Sequence, residues 1–229
     1  MVARVSVKSI LPEELYLDQL PAETRQAFLR CISLPLFQSN QWYLAGGTGL
    51  ALQVGHRQSF DLDFFTPRAT FQNFSVEREL LATGQWQTTL QEAGTLYGIF
   101  MKAKMSLIAY PFFIPGDKRV RCGTIRLLTP EDIAAMKIIA ISQRGRKRDF
   151  VDLYWYCRHR EDLTAVLYRA IKQYPGQEKN LTHLIKSLTY FNDAEQDLMP
   201  TIFFTVSWPS IKNFFKREAV KAAQHFLGA

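Results

Sequence analysis

The run from 41 to 67, QWYLAGGTGLALQVGHRQSFDLDFFTP, constrains this chain more than any other stretch. A short apolar strand, Trp42 to Ala45, meets a double glycine, turns into a helical stretch at Leu50 to Val54, and is followed by a second strand, Phe60 to Phe65. Strand, tight turn, helix and strand in so few residues commit the segment to a sheet with a helix laid on it. At the turn, Gly46, Gly47 and Thr48 bare the backbone, gather N–H groups at the positive end of a helix dipole and add a hydroxyl, which makes a phosphate cradle. The pattern is neither a P-loop nor G-x-G-x-x-G. In Asp61-Leu62-Asp63 the strand period sets two carboxylates on one face, while Leu62 and Phe64 face the core. Parallel carboxylates repel unless a cation sits between them, and magnesium, shared with substrate phosphates, is the usual solution. A lone Asp-x-Asp is most often a solvated edge and a lone Gly-Gly most often steric punctuation. Here they are a short helix and loop apart, so triphosphate and metal could share one cleft.

The rest of the chain frames that segment. With 229 residues, 47% hydrophobic and 21% charged, a globular α+β protein is expected, and disorder is excluded. No uninterrupted apolar run is long enough to span a membrane and the N-terminus lacks a secretion signal, which predicts a soluble, cytoplasmic protein. Cys31, Cys122 and Cys157 lie far apart, without metal-ligand spacing. Residues 11–39 read as mostly helical, 70–83 as an amphipathic helix, and 85–113 as β, with Gly94 and Gly98 as punctuation. Pro111, Pro115 and Gly116 end the β region, and Thr129-Pro130-Glu131-Asp132 opens a helix, after which almost everything looks helical. The division expected is an α+β domain over 1–125 and a helical domain over 126–229. The formal charge of +7 is uneven: residues 1–114 carry nine Lys/Arg against nine Asp/Glu, and the remainder nineteen against twelve. Such an excess suits a face that meets phosphates, or simply a Lys-rich solvated helical surface.

Three features stand out in the second half. Lys137 is the only charge between Ile133 and Ile141 of an apolar helix, so it calls for a partner. Asp149 and Asp152, three apart, share a helix face. Arg144, Arg146, Lys147 and Arg148 form a basic run that is either a solvated loop or a contact to phosphates. In the first half, His56 and Arg57 lie between cradle and carboxylates, where they could orient phosphates or base, and Ser59 could cap the loop. The aromatic stretch Tyr154 to Tyr156 and the rings of the tail read as packing.

A Gly-Gly-Thr turn followed by Asp-x-Asp on a strand is similar to the signature of the DNA polymerase β-like nucleotidyltransferase superfamily. More narrowly, GGTGLALQVGHRQSFDLDFF together with DIAAMKIIAISQRGRKRDFVDLYW resembles the AbiEii/AbiGii toxin family of type IV toxin–antitoxin systems, over residues 42–65 and 132–156. The resemblance implies a small mixed sheet flanked by helices, a helical C-terminal portion and an active cleft between them. It implies that Asp61 and Asp63 bind Mg2+ and that Gly46, Gly47 and Thr48 hold the phosphates of an NTP, with His56, Arg57, Arg146 and Arg148 as further nucleotide contacts. Lys137 corresponds to the family's lysine, able to offset charge developing on phosphate, and either Asp152 or Asp149 to its aspartate. The expected reaction moves a nucleotidyl group from NTP to a hydroxyl on RNA, tRNA among the candidates, or on protein, with a cognate antitoxin as partner. One departure counts against this: the superfamily carries a third carboxylate on a later strand, and in GIFMKAKMSLIAYPF Ser106 stands where it is expected. Either Asp149 or Asp152 substitutes, or the metal site is weaker, and the alternative is an inactive nucleotide- or RNA-binding module.

Overall fold

The computed structural model describes residues 6–38 and 41–228. The chain separates into two compact units, Met1–Thr129 and Pro130–Ala229. The first contains, in order, β1 (Ser6–Ile10), α1 (Ala22–Cys31), β2 (Tyr43–Leu44), α2 (Gly46–Val54), β3 (Leu62–Thr66), α3 (Asn73–Leu81), β4 (Trp86–Glu92), β5 (Thr95–Phe100), β6 (Ala103–Ala109), β7 (Lys118–Cys122) and β8 (Ile125–Leu127). The strands form one mixed eight-stranded sheet in the order β1-β7-β8-β2-β3-β6-β5-β4. Its centre is the short β2, parallel to β8 and antiparallel to β3, and β3 in turn runs parallel to β6.

Alternation along the strands decides which side of the sheet is core. Leu44, Leu62, Phe64, Met105, Leu107, Ile125 and Leu127 point to one face, where Ala27, Phe28 and Cys31 of α1 and Val76 and Leu80 of α3 cover them. Phe37 stacks on Phe64 with centroids 4.1 Å apart. Burying a side chain of this size stabilises by roughly 1.5–3 kcal/mol, so this layer holds β2 and β3 in place. Their opposite face carries Asp63 together with the stacked rings of Tyr43 and Phe65.

Several expectations fail here for identifiable reasons. The sheet does not end at Pro111: β7 and β8 follow as a hairpin closed by Gly123 and Thr124, with Cys122 opposite Ile125 and Val120 opposite Leu127. The alternation of Val120, Cys122, Ile125 and Leu127 was a strand signal hidden by the basic residues between them. The segment 11–39 is only partly helical, short 3-10 turns at Pro12–Glu14, Leu17–Gln19 and Pro35–Phe37 flanking α1, and β1 precedes it. The helix after the double glycine begins at Gly46 rather than Leu50, and β3 begins at Leu62, so Asp61 lies just ahead of the strand. Gly98 is not a turn. It lies inside β5 beneath the Trp86 ring, which a Cβ there would overlap, and the β5–β6 turn is made instead by Met101 and Lys102, both at positive φ.

The second unit is helical: α4 (Pro130–Arg144), α5 (Lys147–His159), α6 (Leu163–Gln173), α7 (Leu181–Ser187), α8 (Asn192–Glu195) and α9 (Trp208–Leu227). Phe150 of α5 is its aromatic hub, 5.2 Å from Phe191, 5.9 Å from Trp208 and 5.3 Å from Phe215 by ring centroids. Ser207 caps α9, accepting from Ser210 N at 3.2 Å, and Asp162 caps α6, accepting from Ala165 N at 2.8 Å. The α5 terminus is capped from far along the chain, Lys147 N donating to Asp197 Oδ2 at 2.9 Å. No helix among the described residues is long and apolar enough to cross a membrane.

Candidate functional site

In the first unit the candidate residues gather where β2 ends. Ala45 N donates to the Asp63 carbonyl at 3.0 Å, carrying the β2–β3 ladder one step past the strand. The chain then turns at Gly46, whose φ is +64°, and enters α2. A Cβ on Gly46 would stand 2.9 Å from Asp63 Oδ2, and one on Gly47 would overlap Arg57 Nη2. Close approach favours glycine at both positions, and backbone angle at Gly46 as well: a carboxylate and a guanidinium occupy the space that side chains would fill. The first turn of a helix leaves backbone N–H groups without intrahelical partners, and here they lie beside that carboxylate.

Asp63 and Ser106 face each other in the β3–β6 register, and Ser106 Oγ donates to Asp63 Oδ1 at 2.6 Å. The residue standing in the expected place of a third acid is thus a hydroxyl that holds one oxygen of Asp63. Asp61 and Asp63 are both half-buried, while Leu62 between them is fully buried. Thr48 is buried, its hydroxyl donating to the Asp61 carbonyl and lying 2.9 Å from Ser59 Oγ. It ties α2 to the residues entering β3. His56 and Arg57 are both buried, and Arg57 Nη1 donates to the Gln58 carbonyl at 2.8 Å. Among the described residues no group of three or more His, Cys, Asp or Glu side chains converges on a point. A cation held by Asp61 and Asp63 would have to complete its shell with water or substrate oxygens.

A second cluster lies in the helical unit. Lys137 Nζ is 2.7 Å from Asp149 Oδ1 and 2.6 Å from Asp152 Oδ2, with the lysine side chain 5% exposed and both aspartates at 0%. Arg144 Nε reaches Asp149 Oδ2 at 3.2 Å. The lone lysine of α4 has two partners, and the two aspartates on one face of α5 are both engaged by the same ammonium. Burial by itself would raise the Asp149 carboxyl; the Lys137 ammonium and Arg144 guanidinium outweigh it and hold the group below the usual aspartate range. Arg146 forms a two-point ion pair with Asp197, with Nε 2.9 Å from Oδ2, and Arg148 is exposed on α5. Tyr156 is fully buried and Tyr154 packs edge-on against Phe214 at 5.0 Å. Asp197 had no signal in the sequence, since nothing local marks a cap supplied from 50 residues away.

A mixed sheet with a bare glycine turn beside paired carboxylates, followed by a helical unit, is a nucleotidyltransferase architecture. The chain aligns with MenT4, a nucleotidyltransferase toxin of Mycobacterium tuberculosis H37Rv, at a TM-score of 0.51 and 15% identity, covering 89% of this chain and 86% of that one. A solved Helicobacter pylori protein is also similar, at 15% identity and a TM-score of 0.47, over 89% of this chain and 96% of that one. In sequence, an uncharacterised protein of Aquifex aeolicus (strain VF5) is 35% identical over 204 residues, 87% of this chain and 96% of the relative. Residues 27–96 and 119–225 match the nucleotidyl transferase AbiEii toxin family of type IV toxin–antitoxin systems, and the chain belongs to that family.

Proposed function

We propose that this protein transfers a nucleotidyl group from an NTP to a hydroxyl acceptor, on RNA or protein, in a magnesium-dependent reaction, and acts as the toxin of a toxin–antitoxin pair with a cognate antitoxin as its partner. The observation that carries the reading is the Asp63 carboxylate lying over Gly46, in space that any side chain would fill. Asp61 and Asp63 are hard oxygen donors and fit magnesium, which takes one or two carboxylates and keeps water and phosphate ligands. Such an ion, when bound, neutralises phosphate charge and activates the transferred phosphorus as a Lewis acid.

The chain's own residues do the rest. The N–H groups of the α2 first turn receive the triphosphate, with Gly46 and Gly47 allowing its approach and Arg57 adding positive charge behind Gly47. Ser106 fixes the orientation of Asp63 through Oδ1. Thr48, with its hydroxyl turned inward, braces the cradle. As the acceptor oxygen bonds to the α-phosphorus, pyrophosphate leaves and the acceptor proton is released.

The test incubates the full chain and Asp63→Asn with magnesium, total RNA and each α-labelled NTP. Label on RNA or protein that falls at least about a hundredfold in the variant, with the fold intact, is the expected result. Undiminished labelling by Asp63→Asn would sink the proposal. Ser106 opposite Asp63 favours a second reading, a module that binds NTP without consuming it; NTP binding without any label would select it.

A further inference from the structure

On the helix-covered face of the sheet, opposite Asp63, the first unit holds a cavity of about 380 Å3, a size that suits a small molecule. Its floor is apolar: Leu36, Trp42 and Val76 are buried, and the Phe71 ring meets the Trp42 indole edge-on at 4.9 Å between centroids. One wall is α3, where Gln72, Ser75, Val76 and Glu79 all line the cavity because positions three, four and seven apart share a helix face. Two opposite charges stand at the rim, Arg68 in the loop that leads from β3 into α3 and Glu79 in the second turn of that helix. Both side chains are exposed, and among the described residues neither makes an ion pair with the other or with a third group. From the first residue of α3 to Glu79 the helix rises about 9 Å.

A guanidinium at one end, an apolar floor and a carboxylate at the other end match a ligand that carries an anion and a cation on the two ends of an aliphatic stem. The start of α3 reinforces the anion end: no side chain caps it, and the N–H groups of a first helical turn favour negative charge. Lysine has this pattern, with an α-carboxylate, a four-carbon stem and a terminal ammonium. We propose that the cavity binds lysine, as the free amino acid or as the C-terminal residue of a peptide. The α-carboxylate meets Arg68 and the start of α3, the stem lies over Trp42, Phe71 and Val76, and the side-chain ammonium meets Glu79. Each rim contact is modest by itself, since exposed charges are well solvated. Selectivity therefore comes from the requirement for both ends at once. The site is independent of the transferase reading, because Asp63 lies on the other face of the sheet.

Calorimetric titration of the full chain compares L-lysine with two relatives that each lack one end. L-Norleucine keeps the carboxylate and stem without the terminal ammonium, and cadaverine keeps the stem and ammonium without the carboxylate. Lysine is expected to bind at least about tenfold more tightly than either. Glu79→Gln should abolish the advantage over norleucine and Arg68→Gln the advantage over cadaverine, each weakening lysine about tenfold. Both positions are exposed, so both variants keep the fold. A blocked tripeptide ending in lysine, and its C-terminal amide, distinguish the sources. A peptide acid that binds as tightly as free lysine assigns the cavity to a chain terminus, its exclusion assigns it to the free amino acid, and the amide should fail in both cases. Asp63→Asn should bind lysine as the parent does, which separates loss of this site from loss of nucleotidyl transfer. No binding of either form of lysine, norleucine or cadaverine binding as tightly as lysine, or affinities unmoved by Glu79→Gln and Arg68→Gln would overturn the proposal.

Discussion

The glycine turn before α2 and the ion cluster joining α4 to α5 handle charge in opposite ways. At the turn, Asp61 and Asp63 remain half-buried, and Ser106 donates to one oxygen of Asp63. In the helical unit, Lys137 and its two aspartates are almost wholly removed from water and satisfy one another. The first arrangement keeps its carboxylates in partial contact with water; the second holds two helices together. Residues of the same chemical type can thus differ in what they do because of solvation alone. Changes at the turn should alter binding and transfer while sparing the fold, and changes in the cluster should reach the fold first.

The largest effect expected is from Lys137→Ala. Two carboxylates then remain buried without the ammonium that joined them, and unfolding in urea should show a loss of about 3–5 kcal/mol. Gly47→Ala comes next, because the new Cβ overlaps Arg57 Nη2 and the guanidinium or the turn must shift. A destabilisation of about 1–3 kcal/mol, with NTP affinity reduced more than stability, would place the turn in the binding role; the reverse order would blur the contrast between the two regions. The smallest effect concerns pH. Asp149 is held below its unfolded value, so its contribution to stability is present above the ordinary aspartate pKa of about 3.9 and lost as pH falls through the lower folded value. Stability of the parent should be flat from neutrality to about pH 5 and then decline. In Lys137→Ala the sign inverts: buried carboxylates without their ammonium are raised, and acidification from neutrality should stabilise the protein. A parallel decline in both proteins would show that the cluster does not govern the acid limb.

Much of the central architecture was legible because it is local. The glycine pair, the alternation around Asp61-Leu62-Asp63 and the Pro130 helix start depend on neighbours in the chain, and all three appear where periodicity and turn chemistry place them, to within a few residues. The β7–β8 hairpin was missed because arginines alternate with its apolar residues and prolines precede it. The Met101–Lys102 turn was missed because neither residue favours positive φ, and only the pairing of β5 with β6 holds them there. Arg146 read as a phosphate contact, and the structure sets it against Asp197, a residue with no local mark. Arg121 and Arg126 stand side by side only because β7 pairs with β8.

By itself, the sequence determined the element types, the apolar face of β3 and the residue kinds available for chemistry, since those follow from backbone sterics and from periods of two or three to four residues. Which groups meet was decided only by the tertiary structure. Ser106 holds Asp63 because β3 pairs with β6, one lysine holds both aspartates because α4 packs on α5, and α5 is capped by a residue 50 positions later. Strand register and helix packing set those pairings, and both emerge from the burial of the whole core rather than from any one segment.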